Sequence, residues 1–322
     1  DGFNRWEAGQ RLAVDVIQEV VQQIEAGATV SVDERLIAAF EVNLSEAVDG
    51  HKSLKLDKAM IAQVLDIPPA SYLIELSDLA NVDAIHAARE AVRNEVADKL
   101  AGLLLSVYKL NQSHSEYNAE AAQVAERALK NAALTYLMLP KNTEMVPLCI
   151  EQFESAVNMT DTSSAIRALV NSPADAARDA KVRALTEFYN RWRDEPLVVD
   201  QWFAIQANCP LPGALDRVRA LLLHDDFDIK VPNRMRALIA QFAMVNIVNF
   251  HQSNGDGYTF LADRVLELNE INPQMAARIL SPLTRWGKFD LTRQQLMKSE
   301  LERILKAKNI SNDVYEIVSK SL

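Results

Sequence analysis

The sequence predicts an all-α chain, a superhelical stack of antiparallel helix pairs of the HEAT or armadillo type (an α-solenoid). Glycine is scarce (9 of 322 residues) and proline modest (11), so few of the turns that a sandwich or barrel requires are available. Ala and Leu are the most frequent residues, a bias that favours helix. Apolar residues recur at helical spacing in runs of roughly 10–20 residues, joined by short polar or proline-bearing connectors. No consensus of fixed period is present, so helix geometry carries the solenoid expectation.

Phe3 to Ala26 opens the series, with Leu12, Val16, Val20 and Ile24 on one stripe and Gly27 as its stop. Asp33 to Val48 repeats the pattern with Leu36, Ile37, Phe40 and Leu44. Shorter pieces follow at Asp57–Leu65 and Ser71–Leu79, parted by Pro68-Pro69. Asp83 to Leu110 reads as the longest helix, and Asn118 to Leu137 as another, closed by Pro140. Glu144–Val157, Thr162–Val170, Ala174–Arg191, Pro196–Ala207 and Ala214–Leu223 then come in quick succession. Asn158–Asp161 is among the expected separators. The whole, 1–322, reads as a single helical domain, divisible into sub-blocks 1–140 and 141–322.

Pro232 to Arg285 carries arginines on helix faces in an otherwise acidic protein. Asn233 is the expected N-cap of its first helix, whose buried stripe is Met235, Leu238, Ile239, Phe242 and Ala243. Arg234 and Arg236 flank that stripe and should point outward at its two edges. Asn254–Gly257 is a turn signal. Asn272-Pro273 begins a further helix as N-cap and N1, with Met275, Ile279, Leu283 and Trp286 inward. Gln274, Arg278, Ser281 and Arg285 share one polar face, and Pro282 should kink the helix. From 231 to 308 there are eleven Lys/Arg against seven Asp/Glu, whereas the chain as a whole is −10. Such a local basic surplus fits a site for carboxylates, or a set of ordinary surface salt bridges.

Other chemistries find little support. Net charge argues against nucleic acid and anionic membrane as partners. Cys149 and Cys209 form no CxxC pair, so neither a disulfide framework nor a structural zinc site is expected, and a reducing compartment fits. No apolar run is long enough to span a bilayer, and no signal-peptide pattern is present. None of His51, His86, His114, His224 or His251 lies in an HExxH. His86 with Glu90 lacks a third metal ligand nearby, and His224 with Asp225, Asp226 and Asp228 reads as a solvated acidic loop. P-loop, GxGxxG and GxSxG motifs are missing. Trp6, Trp192, Trp202 and Trp286 read as packing anchors.

A family resemblance goes further. Phe3-Asn4-Arg5-Trp6-Glu7-Ala8-Gly9-Gln10, Arg127 to Leu134, and Asn158-Met159-Thr160-Asp161 come first. Leu197 to Phe203, Gln206-Ala207 and Pro232 to Arg236 follow, then Phe250-His251, Asp256-Gly257-Tyr258 and Asn272 to Arg278. In this order the motifs resemble the C-terminal domain of the bacterial aminopeptidase N family, zinc-dependent gluzincins. The likeness covers the whole chain and is most specific from about Leu185 to Trp286.

The resemblance implies an all-helical domain packed over a catalytic domain and enclosing a cavity above its zinc. The HExxH helix, its distal Glu and the GAMEN loop lie upstream in that family and are absent here. This piece is therefore expected to carry no catalytic residue and no metal, with Zn2+ in the parent's catalytic domain. Its start at Asp1 without Met fits a piece of something longer. By the same resemblance, Gln274 and Arg278 match residues near the substrate cavity, Arg236 a basic residue facing the internal channel, and Arg234 a weaker candidate. Guanidinium forks suit peptide carbonyls and C-terminal carboxylates. Partners are then the upstream catalytic domain and peptide substrates, in the cytoplasm. The alternative is a free-standing α-solenoid scaffold for protein–protein interaction.

Overall fold

A computed structural model describes residues 2–50, 57–113, 116–139 and 143–322. Pro140, His51 and His114 lie outside the described residues. The chain is helical: α1 Gly2–Glu25, α2 Glu34–Asp49, α3 Lys58–Val64, α4 Ala70–Leu76, α5 Val82–Lys99, α6 Ala101–Leu110 and α7 Ala121–Leu137. Then come α8 Val146–Ser155, α9 Met159–Asn171, α10 Arg178–Trp192, α11 Pro196–Ala207, α12 Ala214–Leu221 and α13 Pro232–Met235. The last are α14 Gln241–Met244, α15 Ile247–Phe250, α16 Asp256–Ile271, α17 Pro273–Ile279, α18 Ser281–Thr284, α19 Leu291–Leu305 and α20 Asn312–Ser321. Among the described residues no strand forms; one isolated bridge joins Ala80 and Phe289.

Caps account for several boundaries. Asp33 accepts from the Arg35 amide and Asp57 from the Met60 amide, so each stands just outside its helix. Asn158 likewise accepts from the Asp161 amide at 2.9 Å. The segment Asn158–Asp161, expected as a separator, is instead the cap and first turn of α9. The run expected as one helix from Asp83 to Leu110 is two, broken at Leu100, whose φ of −109° and ψ of 16° leave the helical well. Apolar residues continue on both sides of Leu100, so periodicity could not reveal the break. Beyond Trp286, where the sequence reading names no helix, α19 and α20 extend the chain.

Contacts divide the chain into two compact units. One comprises Asp1–Pro69 with Ala84–Thr186, the other Ala70–Asp83 with Glu187–Leu322. The sequence reading places its division at 140/141 instead. In the first unit α6 packs on α7, α3 on α7, α8 on α9 and α7 on α9. Its core holds Val16, Ile17, Leu36, Phe40, Leu44, Leu104, Tyr108, Leu129 and Leu134, all essentially inaccessible. The Tyr136 hydroxyl donates to the Leu65 carbonyl at 2.6 Å and gives that buried oxygen a partner.

In the second unit α16 packs on α17 and α19, α17 on α20, and α11 on α12 and α13. The core is aromatic, with Phe203, Phe242, Phe250 and Tyr258 fully buried. Rings of Phe242, Phe250, Phe260 and Tyr258 meet edge to face, centroids 5.4–6.0 Å apart. Each such side chain contributes about 1.5–3 kcal/mol by burial, and edge contacts add roughly 0.5–1.5 kcal/mol per pair. The segment Ala70–Asp83 joins this unit because Lys288 donates to the carbonyls of Glu75 (3.2 Å) and Ser77 (2.9 Å). The Ala80 amide donates to the Lys288 carbonyl in return.

Candidate functional site

The basic stretch starts on the helix beginning at Pro232. Val231 is its cap and Pro232 its first residue; Asn233 lies one position inside, not at the cap as expected. Pro at the first position removes an amide that the helix could not pair. Arg236 to Ala240 then form a π-turn, with Ala237, Leu238 and Ile239 buried in succession. A turn closed by i→i+5 bonds accommodates one residue more than an α-turn, and such turns recur at functional sites. Periodicity does not reveal it, because Leu238, Ile239, Phe242 and Ala243 fit an unbroken helix equally well.

The two arginines at this turn have different surroundings. Arg234 folds back, its guanidinium 2.8 Å from Asp200 Oδ1 and stacked over Phe203 at 5.2 Å. Only 12% of its side chain is exposed. It thus fastens α13 to α11 rather than pointing outward at the edge. Asp200 and Phe203 belong to the same motif, Leu197 to Phe203. Arg236 is exposed, and its Nη1 donates to Asn233 Oδ1 at 2.9 Å.

Asn272 caps α17 by accepting from the Met275 amide at 3.1 Å, with Pro273 at N1. Met275, Ala276 and Ile279 face inward. Gln274 and Arg278, one turn apart, are exposed, and among the described residues neither side chain has a hydrogen-bond or ion-pair partner. The helix stops at Ile279 and restarts at Ser281, with Pro282 in the first turn of α18. Arg285 therefore leaves the face shared by Gln274 and Arg278 and pairs with Glu75. Trp286 is half-buried rather than inward; its Nε1 donates to the Ser321 carbonyl, and Lys298 sits over its ring.

Much of the basic surplus is engaged within the second unit. Arg293 meets Asp83 and Asp290, Arg303 meets Asp263 and Glu300, and Arg264 meets Glu267. Arg236 and Arg278 have no carboxylate partner among the described residues. No hydrogen bond or ion pair there joins Arg236 to Gln274 or Arg278, and their helices have different packing neighbours.

Other motifs from the sequence resolve into packing. His251 is buried, its Nδ1 2.9 Å from the Tyr258 hydroxyl, and its carbonyl accepts from Arg293 Nε at 2.7 Å. Burial, reinforced by the Arg293 charge, lowers the His251 pKa to about 3, so the imidazole is neutral at pH 7. Gly257 lies against the Phe250 carbonyl, where a Cβ would come within 2.2 Å of the oxygen. Gly255, at φ +76°, makes the turn into α16. His224 rests edge-on against Tyr189 and Phe203 rather than in open solvent, while Asp226 accepts from the Tyr189 hydroxyl. Among the described residues no group of three or more His, Cys, Asp or Glu could hold a metal ion. No helix there is long and apolar enough to cross a membrane.

Comparison with known proteins places this arrangement. The family model described as "Domain of unknown function (DUF3458_C) ARM repeats" matches residues 1–322. The chain belongs to that family. Aminopeptidase N of Escherichia coli is 36% identical over 320 residues, covering 99% of this chain and 35% of that protein. Aminopeptidase N of Caulobacter vibrioides is 38% identical over 322 residues, covering 100% and 36%. The crystal structure of Legionella pneumophila aminopeptidase A in complex with aspartic acid superposes with a TM-score of 0.85 at 28% identity. It covers the whole chain and 37% of that structure. This DUF3458_C chain thus matches the C-terminal domain of bacterial aminopeptidase N and spans about a third of its curated relatives.

Proposed function

We propose that this chain is the non-catalytic C-terminal domain of a cytoplasmic zinc aminopeptidase. It encloses the active-site cavity, controls peptide access and contributes substrate contacts. Zn2+, held by the upstream catalytic domain, supplies activated water for hydrolysis of the N-terminal peptide bond. Arg278 offers a charged fork to carbonyls or the C-terminal carboxylate beyond that bond, and Gln274 a neutral amide one turn away. Arg236 supplies a second charge from the π-turn, while Arg234, held by Asp200, shapes the wall that presents it.

The observation supporting this reading is the placement of Gln274 and Arg278 one turn apart on α17. Among the described residues both side chains are exposed and without hydrogen-bond or ion-pair partners, in a stretch where most other arginines are engaged. In the full-length protein, Arg278→Ala should raise KM for tripeptides roughly tenfold, about 1.4 kcal/mol of lost contact. Hydrolysis of an aminoacyl anilide, which has no C-terminal carboxylate, should stay unchanged. Arg278→Lys keeps the charge and should recover only part of the loss. Unaltered KM and kcat for tripeptides in Arg278→Ala would refute the contact role.

A further inference from the structure

A cavity of about 320 Å³ opens within the first unit, between α6, α7, α8 and the first turn of α9. That volume is at the lower end for small-molecule sites. Its floor is a polar cluster built from two motifs more than twenty residues apart, Arg127 to Leu134 and Asn158 to Asp161. Lys130 Nζ lies 2.7 Å from Asp161 Oδ2, and both side chains are over nine-tenths buried. Asn131 donates to Asp161 Oδ1 at 2.9 Å, and Asn158 to Oδ2 at 3.0 Å. Gln152 Nε2 donates to Asn131 Oδ1 and to the Asp161 carbonyl. The Lys130 and Asp161 charges thus satisfy each other inside a rigid frame.

The cavity has two further charged residues. Arg127 is buried, 6% exposed, yet among the described residues its partners are neutral: Gln123 Oε1 and the Asn118 carbonyl, each at 3.1 Å, and the Tyr117 ring at 5.0 Å. Two contacts leave further guanidinium donors available. Glu151 is exposed at the mouth, and among the described residues its carboxylate has neither hydrogen bond nor ion pair. The two do not pair with each other. Burying a guanidinium without a counter-charge is costly, and an incoming carboxylate would relieve that cost. Tyr108, Tyr117 and Val157 add apolar surface to the lining.

We infer that this cavity binds a free zwitterionic amino acid with an apolar side chain, its carboxylate on Arg127 and its ammonium on Glu151. The inference is independent of the roles given to Gln274 and Arg278. A peptide with a free C-terminus could also place a carboxylate on Arg127, but its ammonium is separated from that carboxylate by at least one more residue than in a free amino acid.

Hydrogen exchange on the full-length protein tests this, because it localises binding to α6, α7 and α8 whatever else the protein binds. L-Leucine should slow exchange in those helices. N-acetyl-L-leucine, without the ammonium, and 3-methylbutylamine, without the carboxylate, should not at equal concentration. Glu151→Gln, an exposed change that spares the fold, should weaken the L-leucine effect about tenfold. Three results would overturn the inference: unchanged exchange in α6–α8 at saturating L-leucine, equal protection by either truncated analogue, or an undiminished effect in Glu151→Gln. The first would mean that the cavity holds water alone.

Discussion

Arg293 donates to Asp83 at 2.7 Å across 210 residues of sequence. The same guanidinium also holds Asp290 and the His251 carbonyl, so one buried side chain joins three segments of the second unit. Arg293 is 5% exposed, whereas the Asp83 side chain is 65% exposed. The two ends of this pair should therefore differ in energetic weight.

Arg293→Met removes three hydrogen bonds and leaves the buried His251 carbonyl short of a donor, at a cost of about 2–4 kcal/mol. Asp83→Asn removes only an exposed partner and should cost less than about 1 kcal/mol. Urea unfolding of the two variants gives the comparison, and equal losses would contradict it.

Gly257→Ala places a methyl group where the Phe250 carbonyl already lies. Because the obstacle is backbone, relief requires moving α16 against α15, and overpacking of this kind costs roughly 1–3 kcal/mol. Gly102→Ala meets nothing within 4 Å; there the greater helix propensity of Ala should leave stability equal or improved. Thermal midpoints of the two variants should move in opposite directions or differ by several degrees.

Acidification should destabilise the second unit before the Asp161 cluster of the first. His251 is held neutral when folded, with its pKa lowered to about 3. The unfolded chain binds a proton near pH 6.5 and the folded one does not. Its stabilisation is therefore full above pH 6.5 and declines as pH falls toward 3. Burial raises the Asp161 pKa, but hydrogen bonds from Lys130 and Asn158 outweigh it and the net shift is downward. That contribution is present above the usual carboxylate value and is lost only below it. His251→Phe should flatten the decline between pH 6.5 and 4, as read by chemical denaturation across pH.

Arg234→Ala abolishes an ion pair whose side chains are 12% and 16% exposed, together with the stack on Phe203. A loss of about 2–4 kcal/mol is expected. In a double-mutant cycle with Asp200→Asn, coupling of at least about 1 kcal/mol should appear. Additive losses would show that the pair is independent of the attachment of α13 to α11.

Helix class and much of the register were legible from residue spacing alone, because burial at a 3.6-residue period leaves its mark on every amphipathic segment. The cap at Asn272, the span Pro196–Ala207 and the turn before α16 follow from local chemistry and recur in the structure. The exposed pair Gln274 and Arg278 also follows, since opposite faces of one short helix are set by that same period. The break at Leu100 and the π-turn at Arg236 do not, because apolar patterning there is continuous and the deviation lies in backbone angles.

Tertiary structure alone decided which charges are engaged. In sequence, Arg234, Arg236, Arg278, Arg285 and Arg293 look alike, as basic residues in one stretch. Folding brings Asp200, Glu75 and Asp83 to three of them from 34 to 210 residues away, and nothing local encodes those encounters. It also assembles Arg127, Lys130, Glu151 and Asp161 around one cavity from three helices. The sequence determined a helical chain with a basic stretch from its period and composition. Long-range packing determined which cations remain available to a ligand, because an ion pair depends on distance in space and not on separation along the chain.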